Sequence, residues 1–183
     1  MTVNGWIIFQ QQLIQSSTPA AISFNQNWAT FSSGFGALGS NYYMGNEKVH
    51  RLTQHTGTTY RLRIEMLFSN GWMSAEYDQF SLDDEAGLYR LHLEGYSNGE
   101  CGDSLQYNQP PKEYQNGMAF STYDSDNDLS PNPPPCVSEY SSGFWYNDFY
   151  WGLVWGDVAD NVEWWTMDSS LVTQSRMMIK PSV

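Results

Sequence analysis

The chain has 183 residues, enough for one domain with a substantial core, and 40% of them are hydrophobic with 16% aromatic, so Trp, Tyr and Phe carry much of the burial. Twenty acidic residues against eight basic ones give a formal charge of -12, which repels phosphates and excludes a nucleic-acid-binding surface. No run of eighteen apolar residues is present, so no membrane span is expected, and Met1 to Trp6 lacks the charged-then-apolar pattern of a signal peptide.

Val3 to Gln12 reads as a strand buried on both faces, because Trp6, Ile7, Ile8 and Phe9 are β-favouring and nearly continuous. Phe24, Trp28 and Phe31 recur at i, i+4, i+7, which predicts a short amphipathic helix closed by Gly34 and Gly36. Asn46 is placed to N-cap a second helix over Glu47 to Gln54 with Val49 and Leu52 on its apolar face. Tyr60 to Met66 alternates, Ser69-Asn70-Gly71 turns, and Trp72 to Phe80 alternates again, the pattern of a hairpin. Asp83 to Gly87 is a polar turn and Tyr89 to Leu93 another alternating strand.

Beyond Gly95 the chain is rich in Gly, Asn, Asp, Pro and aromatics, and Pro133-Pro134-Pro135 forbids regular structure. A closing strand is expected over Ser175 to Ile179. The class is therefore α+β: one small sheet, two short helices and a long loop region carrying function.

Within that region Asp124, Asp126 and Asp128 alternate with Ser125 and Asn127, so a curled backbone can bring carboxylates and carbonyls onto one hard cation. Ca²⁺ accepts six to eight such oxygens in irregular geometry. An EF-hand is ruled out: counting Asp124 as position one, Leu129 occupies the glycine position and Pro135 the final glutamate position. The aromatic run Phe144-Trp145-Tyr146 lies just downstream.

Several motifs, in order, resemble the fibrinogen C-terminal (fibrinogen-related) domain of fibrinogen chains, ficolins, tachylectins and angiopoietins. They include Asn4-Gly5-Trp6-Ile7-Ile8-Phe9-Gln10, Gly45-Asn46-Glu47-Lys48-Val49-His50, Asn116-Gly117-Met118-Ala119-Phe120-Ser121-Thr122, Gly143-Phe144-Trp145-Tyr146-Asn147 and Ala159-Asp160-Asn161-Val162-Glu163-Trp164. The resemblance implies one domain over 1–183, truncated at its N-terminus relative to the family, with a small twisted, mainly antiparallel sheet, short helices and a loop-rich ligand region. It implies Ca²⁺ held by the side chains of Asp126 and Asp128 and the carbonyls of Ser130 and Asn132. It also implies a ligand cleft in which Tyr140 and Ala159 match wall positions, Tyr150 stands for a usual His, Val158 for a common Tyr, and Phe149 for a Cys.

That last substitution removes a disulfide, since the family joins the cysteine at Cys136 to one thirteen residues on, where this chain has Phe149. The cysteines of the family's first disulfide lie upstream of this chain's start, and a Cys101–Cys136 pair stays open as an alternative. Knob-peptide-binding members place carboxylates where Tyr140 and Ala159 stand. The resemblance thus implies an extracellular, non-enzymatic recognition domain binding acetylated or other small glycans, with a protein-interaction module as the alternative and oligomerisation through a preceding stem. Enzymatic chemistry has little support: Glu47 and His50 share a helix face, with His55 just past its end, in a segment the family uses structurally. The acids Asp157, Asp160 and Glu163 form a glycosidase-like grouping, with Glu163 in a motif the family uses structurally.

Overall fold

The computed structural model describes residues 2–14, 22–106, 114–131, 133–148, 155–156, 162–164, 166–168 and 172–182. Its eleven elements run β1 (Thr2–Val3), β2 (Trp6–Leu13), α1 (Trp28–Ser33), β3 (Phe35–Gly36), β4 (Tyr42–Tyr43), α2 (Asn46–Thr53), β5 (Tyr60–Phe68), β6 (Gly71–Leu82), β7 (Leu91–Asn98), α3 (Cys136–Tyr140) and β8 (Gln174–Pro181). The strands form one antiparallel sheet in the order β3-β4-β2-β8-β5-β6-β7, with β1 folded back on β2. The closing strand is thus central: Ile179 faces Ile7 on one side and Leu62 on the other.

Period-two alternation sets the two faces of the sheet. In β5, Leu62, Ile64 and Met66 are fully buried on the inner face. The opposite face carries Arg61, Arg63 and Glu65, beside Glu76 of β6 and Arg176 of β8. There Glu65 accepts hydrogen bonds from Arg63 Nε (2.6 Å) and Arg176 Nε (2.6 Å). Glu76 accepts from Arg61 (2.6 Å) and also from Arg63. The Arg176 guanidinium lies 4.1 Å from the centroid of the Trp72 ring, a cation–π contact that caps this ladder.

The helices differ from expectation in register. Helix α1 starts at Trp28 because Asn27 caps it, its Oδ1 accepting from the Thr30 N–H at 2.9 Å. Phe24 is outside the helix yet fully buried, its ring against Phe35 and Trp155. Gly34 ends α1 at φ 93°, and a Cβ there would come within 2.2 Å of the Met44 carbonyl oxygen, so only glycine fits. Asn46 does not cap α2: it is the helix's first residue, and its buried Oδ1 accepts from the Tyr43 hydroxyl. Strand β7 begins at Leu91, later than alternation suggested, because Leu88 and Tyr89 adopt left-handed φ values of 59° and 47°. It also runs on past Gly95 to Asn98. Among the described residues no helix is long and apolar enough to cross a membrane.

Over the inner face of the sheet lies an aromatic layer supplied mostly by loops. Trp155 sits at its centre with ring centroids 4.8 Å from Phe144, 5.6 Å from Tyr43 and 6.0 Å from Trp145. Gln12 of β2 fastens this layer to the sheet, its amide donating to Gly156 O (2.6 Å) and accepting from Gly156 N–H (3.1 Å).

The ionic ladder makes unequal demands on its members. Glu76→Ala leaves Arg61 and Arg63 without their shared carboxylate and is expected to cost about 2 kcal/mol in urea unfolding. Glu47→Ala, which breaks the exposed Arg51 pair on α2, is expected to change stability by less than about 0.5 kcal/mol. Equal effects of the two variants would refute the ladder's structural role.

Candidate functional site

The acidic loop is shaped by hydrogen bonds from its own short side chains. Asp126 Oδ1 accepts from the Asp128 N–H (3.3 Å) and Asp128 Oδ1 from the Ser130 N–H (2.9 Å). These are successive Asx-type turns, each closing the chain on itself two residues on. Asn127, between the carboxylates, points the other way and pins the loop: its amide donates to Phe120 O (2.8 Å) and its N–H to Ser121 Oγ (3.0 Å). Ser121 in turn exchanges backbone hydrogen bonds with Phe144, 2.8 and 3.1 Å, tying the loop to the aromatic layer.

As a result Asp126, Asp128 and Ser130 line one cavity of about 250 Å³ with Pro131, Pro133 and Pro135. Asp128 is also fixed from the far side, where its Oδ2 accepts from the Cys136 N–H (2.8 Å) at the start of α3. Each of its oxygens keeps a lone pair for another partner. No Lys or Arg pairs with Asp124, Asp126 or Asp128 among the described residues. Nor do three His, Cys, Asp or Glu side chains converge among those residues, so a cation here must draw on backbone oxygens as well. The donor set, two carboxylates on a curled backbone, suits a hard cation. Asn132 lies outside the described residues.

Asp124 is committed elsewhere. Its Oδ1 accepts from the Trp28 N–H (2.9 Å) at the start of α1 and from Thr122 Oγ1 (2.7 Å), so it joins the loop to the helix. Trp28 extends the link, donating from its indole to Glu85 (2.7 Å) and stacking on Tyr89 at 5.5 Å.

Of the expected cleft residues only Tyr140 is described. It is buried, its ring stacked on Tyr146 at 5.9 Å. Phe149, Tyr150, Val158 and Ala159 lie outside the described residues. Trp155, in the loop-rich region, is fully buried. The helix face of Glu47 and His50 does not form a site, because Glu47 pairs with Arg51 while His50 Nδ1 meets Leu82 O at 2.8 Å.

Comparison with known proteins identifies this architecture. The family model for the C-terminal globular domain of fibrinogen beta and gamma chains matches residues 1–182. The chain belongs to the fibrinogen C-terminal domain family. It is 34% identical over 188 residues to protein scabrous of Drosophila melanogaster, a match covering 98% of this chain and 21% of scabrous. Its structure resembles the fibrinogen-like globe domain of human ANGPTL6 at a TM-score of 0.81, with 26% identity, 97% of this chain and 78% of that one covered. It likewise resembles a lamprey fibrin D-dimer complexed with the peptide Gly-His-Arg-Pro-amide, at a TM-score of 0.80 and 27% identity, over 96% of this chain and 61% of that one.

Within the family pattern, the cysteines are resolved: Cys101 and Cys136 are both free and buried, so they do not form the alternative pair. Cys136 Sγ lies 4.0 Å from Asn147 O and 3.9 Å from Asp148 O. Cys101 has other partners, its N–H bonded to Ser74 O of β6 and its carbonyl accepting from the Trp164 indole. Burial, with neighbouring carboxylates adding to it, raises both thiols from the ordinary 9.0 to about 12.

Two outcomes follow from this geometry. Both thiols are expected to react slowly with a disulfide reagent at pH 8 until the protein unfolds, and fast labelling of the native protein would contradict their burial. Below pH 9 the thiols are protonated in both states and contribute no pH dependence. Above it the unfolded chain releases protons that the fold retains, so urea-unfolding stability is expected to fall as pH rises from about 9 towards 12. Separately, Asp124→Ala is expected to cost about 1 kcal/mol, because a helix-start N–H loses its acceptor; a fully unchanged midpoint would remove Asp124 from that role.

Proposed function

We propose that this domain is an extracellular, non-enzymatic recognition module stabilised by Ca²⁺, with a small acetylated or other glycan as its ligand. The observation that carries the metal half is the shared cavity of Asp126, Asp128 and Ser130, in which two carboxylates without a cationic partner among the described residues are held by Asx turns. Asp126 and Asp128 would supply side-chain oxygens, and Ser130 and Asn132 carbonyl oxygens. Ca²⁺ bound there would neutralise the loop and lock α3 to it through the Asp128–Cys136 bond. That bond stands where the family's disulfide would otherwise brace the segment. In the ligand half, Tyr140, Phe149, Tyr150, Val158 and Ala159 would line a ligand cleft with an apolar wall and few polar groups. The buried stack of Tyr140 on Tyr146 would give such a wall a rigid base.

A second reading, recognition of a protein or peptide partner, is favoured by the likeness to the lamprey fibrin that carries Gly-His-Arg-Pro-amide. The family is one of binding and structural domains, and either ligand class suits it.

Calcium titration separates the metal half from both ligand readings. At a hundredfold excess over Kd, binding to the folded state alone is worth about 2.7 kcal/mol, a rise in Tm of about 5–10 °C for a chain of this size. Asp126→Ala is expected to abolish that rise. A Tm indifferent to calcium and EDTA would sink the metal half. Retained saturable binding of N-acetylated glycans on an array tests the ligand half, and binding of peptide alone would replace it with the second reading.

A further inference from the structure

The second cavity lies at the β6–β7 end of the sheet and arises from a change in strand parity. Ala75 and Tyr77 of β6 are buried, Asp78 and Gln79 are both exposed, and Phe80 and Leu82 are buried again. Such a local irregularity re-aims side chains. Here it brings Gln79 and Ser81 out on one face, directly opposite Glu94 and His92 of β7. The C-terminal end of α2 closes one side, because Gln54 Nε2 (3.2 Å) and His50 Nδ1 (2.8 Å) bond to Leu82 O. Thr58, Thr59 and Tyr60 complete the lining of this open surface pocket, which measures about 170 Å³.

The lining is unusual in how much of its polar capacity is unused. Thr58, Thr59, Gln79, Ser81 and Glu94 make no side-chain hydrogen bond or ion pair among the described residues. The Tyr60 hydroxyl likewise has no partner among them, although Tyr60 is only 9% exposed. His92 is oriented by Asp83, its Nε2 lying 2.9 Å from Asp83 Oδ1. Phe80 contributes an apolar wall.

We infer that this cavity is a binding site for a single neutral sugar ring. Its volume falls below the roughly 300 Å³ at which drug-sized sites begin and matches a single ring. Hydroxyls and an amide, able both to donate and to accept, match the alternating demands of a polyol. No Lys or Arg lines the cavity among the described residues. With Glu94 inside it, and a chain charge of -12, anionic sugars and phosphates are repelled. Most of its polar groups are uncharged, which favours a neutral ligand over an amine. The site shares no lining residue with the acidic-loop cavity and does not rest on the calcium reading.

The test is an NMR titration of the ¹⁵N-labelled domain, in EDTA, with the methyl glycosides of glucose, galactose and mannose. At least one is expected to shift the amides of Thr58, Thr59, Gln79, Ser81 and Glu94 saturably, with a Kd of about 1–10 mM. Tyr60→Phe should weaken it about three- to tenfold, the loss of one hydrogen bond. The double variant Gln79→Ala, Glu94→Ala, both exposed and thus compatible with a folded spectrum, should remove saturation. Asp126→Ala should leave the shifts unchanged, which separates this site from the calcium loop. No saturable shift at these amides up to about 50 mM of any of the three glycosides, equal shifts with methylamine, or undiminished affinity in the folded double variant would each overturn the inference.

Discussion

Much of the described loop region of this domain is buried without being regular, and so its main-chain polar groups need partners that helices and sheets would otherwise supply. Tryptophan provides them. Trp145 donates its indole N–H to Tyr89 O (2.8 Å), Trp155 to Gly143 O (2.9 Å) and Trp164 to Cys101 O (2.8 Å). Each ring buries a large apolar surface and at the same time satisfies a loop carbonyl. The left-handed turn at Tyr89 belongs to the same arrangement: it holds the acceptor of Trp145 while its ring receives Trp28. The acidic loop, the α1 helix and the aromatic layer are connected through this set of contacts.

Below that layer the sheet is closed by its last strand. Because β8 lies between β2 and β5, the segments at both ends of the described chain meet in the middle of the core. The loops between Asn98 and Gln174 are therefore held at both edges: Cys101 is bonded to Ser74 of β6, and Gly156 is clamped by Gln12 of β2. The outer face of the sheet is ionic. Glu65 and Glu76 each serve two arginines there, which commits Arg61, Arg63 and Arg176, three of the chain's eight basic residues, to that face. That distribution leaves the carboxylates of the acidic loop without a cationic neighbour among the described residues.

Loss of the family's second disulfide has a structural counterpart. Cys136 is a buried, protonated thiol, and the constraint on its segment comes from the main chain: its N–H is held by Asp128, while Leu129 N–H bonds to Asn147 O at 3.1 Å. The first of these uses a side-chain carboxylate and the second a backbone carbonyl, and neither is covalent. The acidic loop thus acts both as a candidate cation site and as the brace of its own neighbourhood.

Alternation, turn residues and ordered motifs were sufficient to read the β5–β6 hairpin, the existence of two early helices, the closing strand and the family from the sequence, because each depends on neighbours within a few positions. The grouping of Asp126 with Asp128 was legible for the same reason. Other features depended on contacts distant in the chain. Asn46 was drawn away from capping by Tyr43, Tyr89 left the strand to serve Trp145, and Trp155 went to the centre of the aromatic layer. Asp124 was taken by Trp28, ninety-six positions away. The sugar-sized cavity had no sequence signal, since it needs the parity change at Asp78–Gln79 and the meeting of α2, β6 and β7. Local periodicity determined which segments are strands and which residues are acidic neighbours. Only the tertiary structure decided which polar groups were already spent on the fold and which remained free, because that depends on partners the chain brings together from far apart.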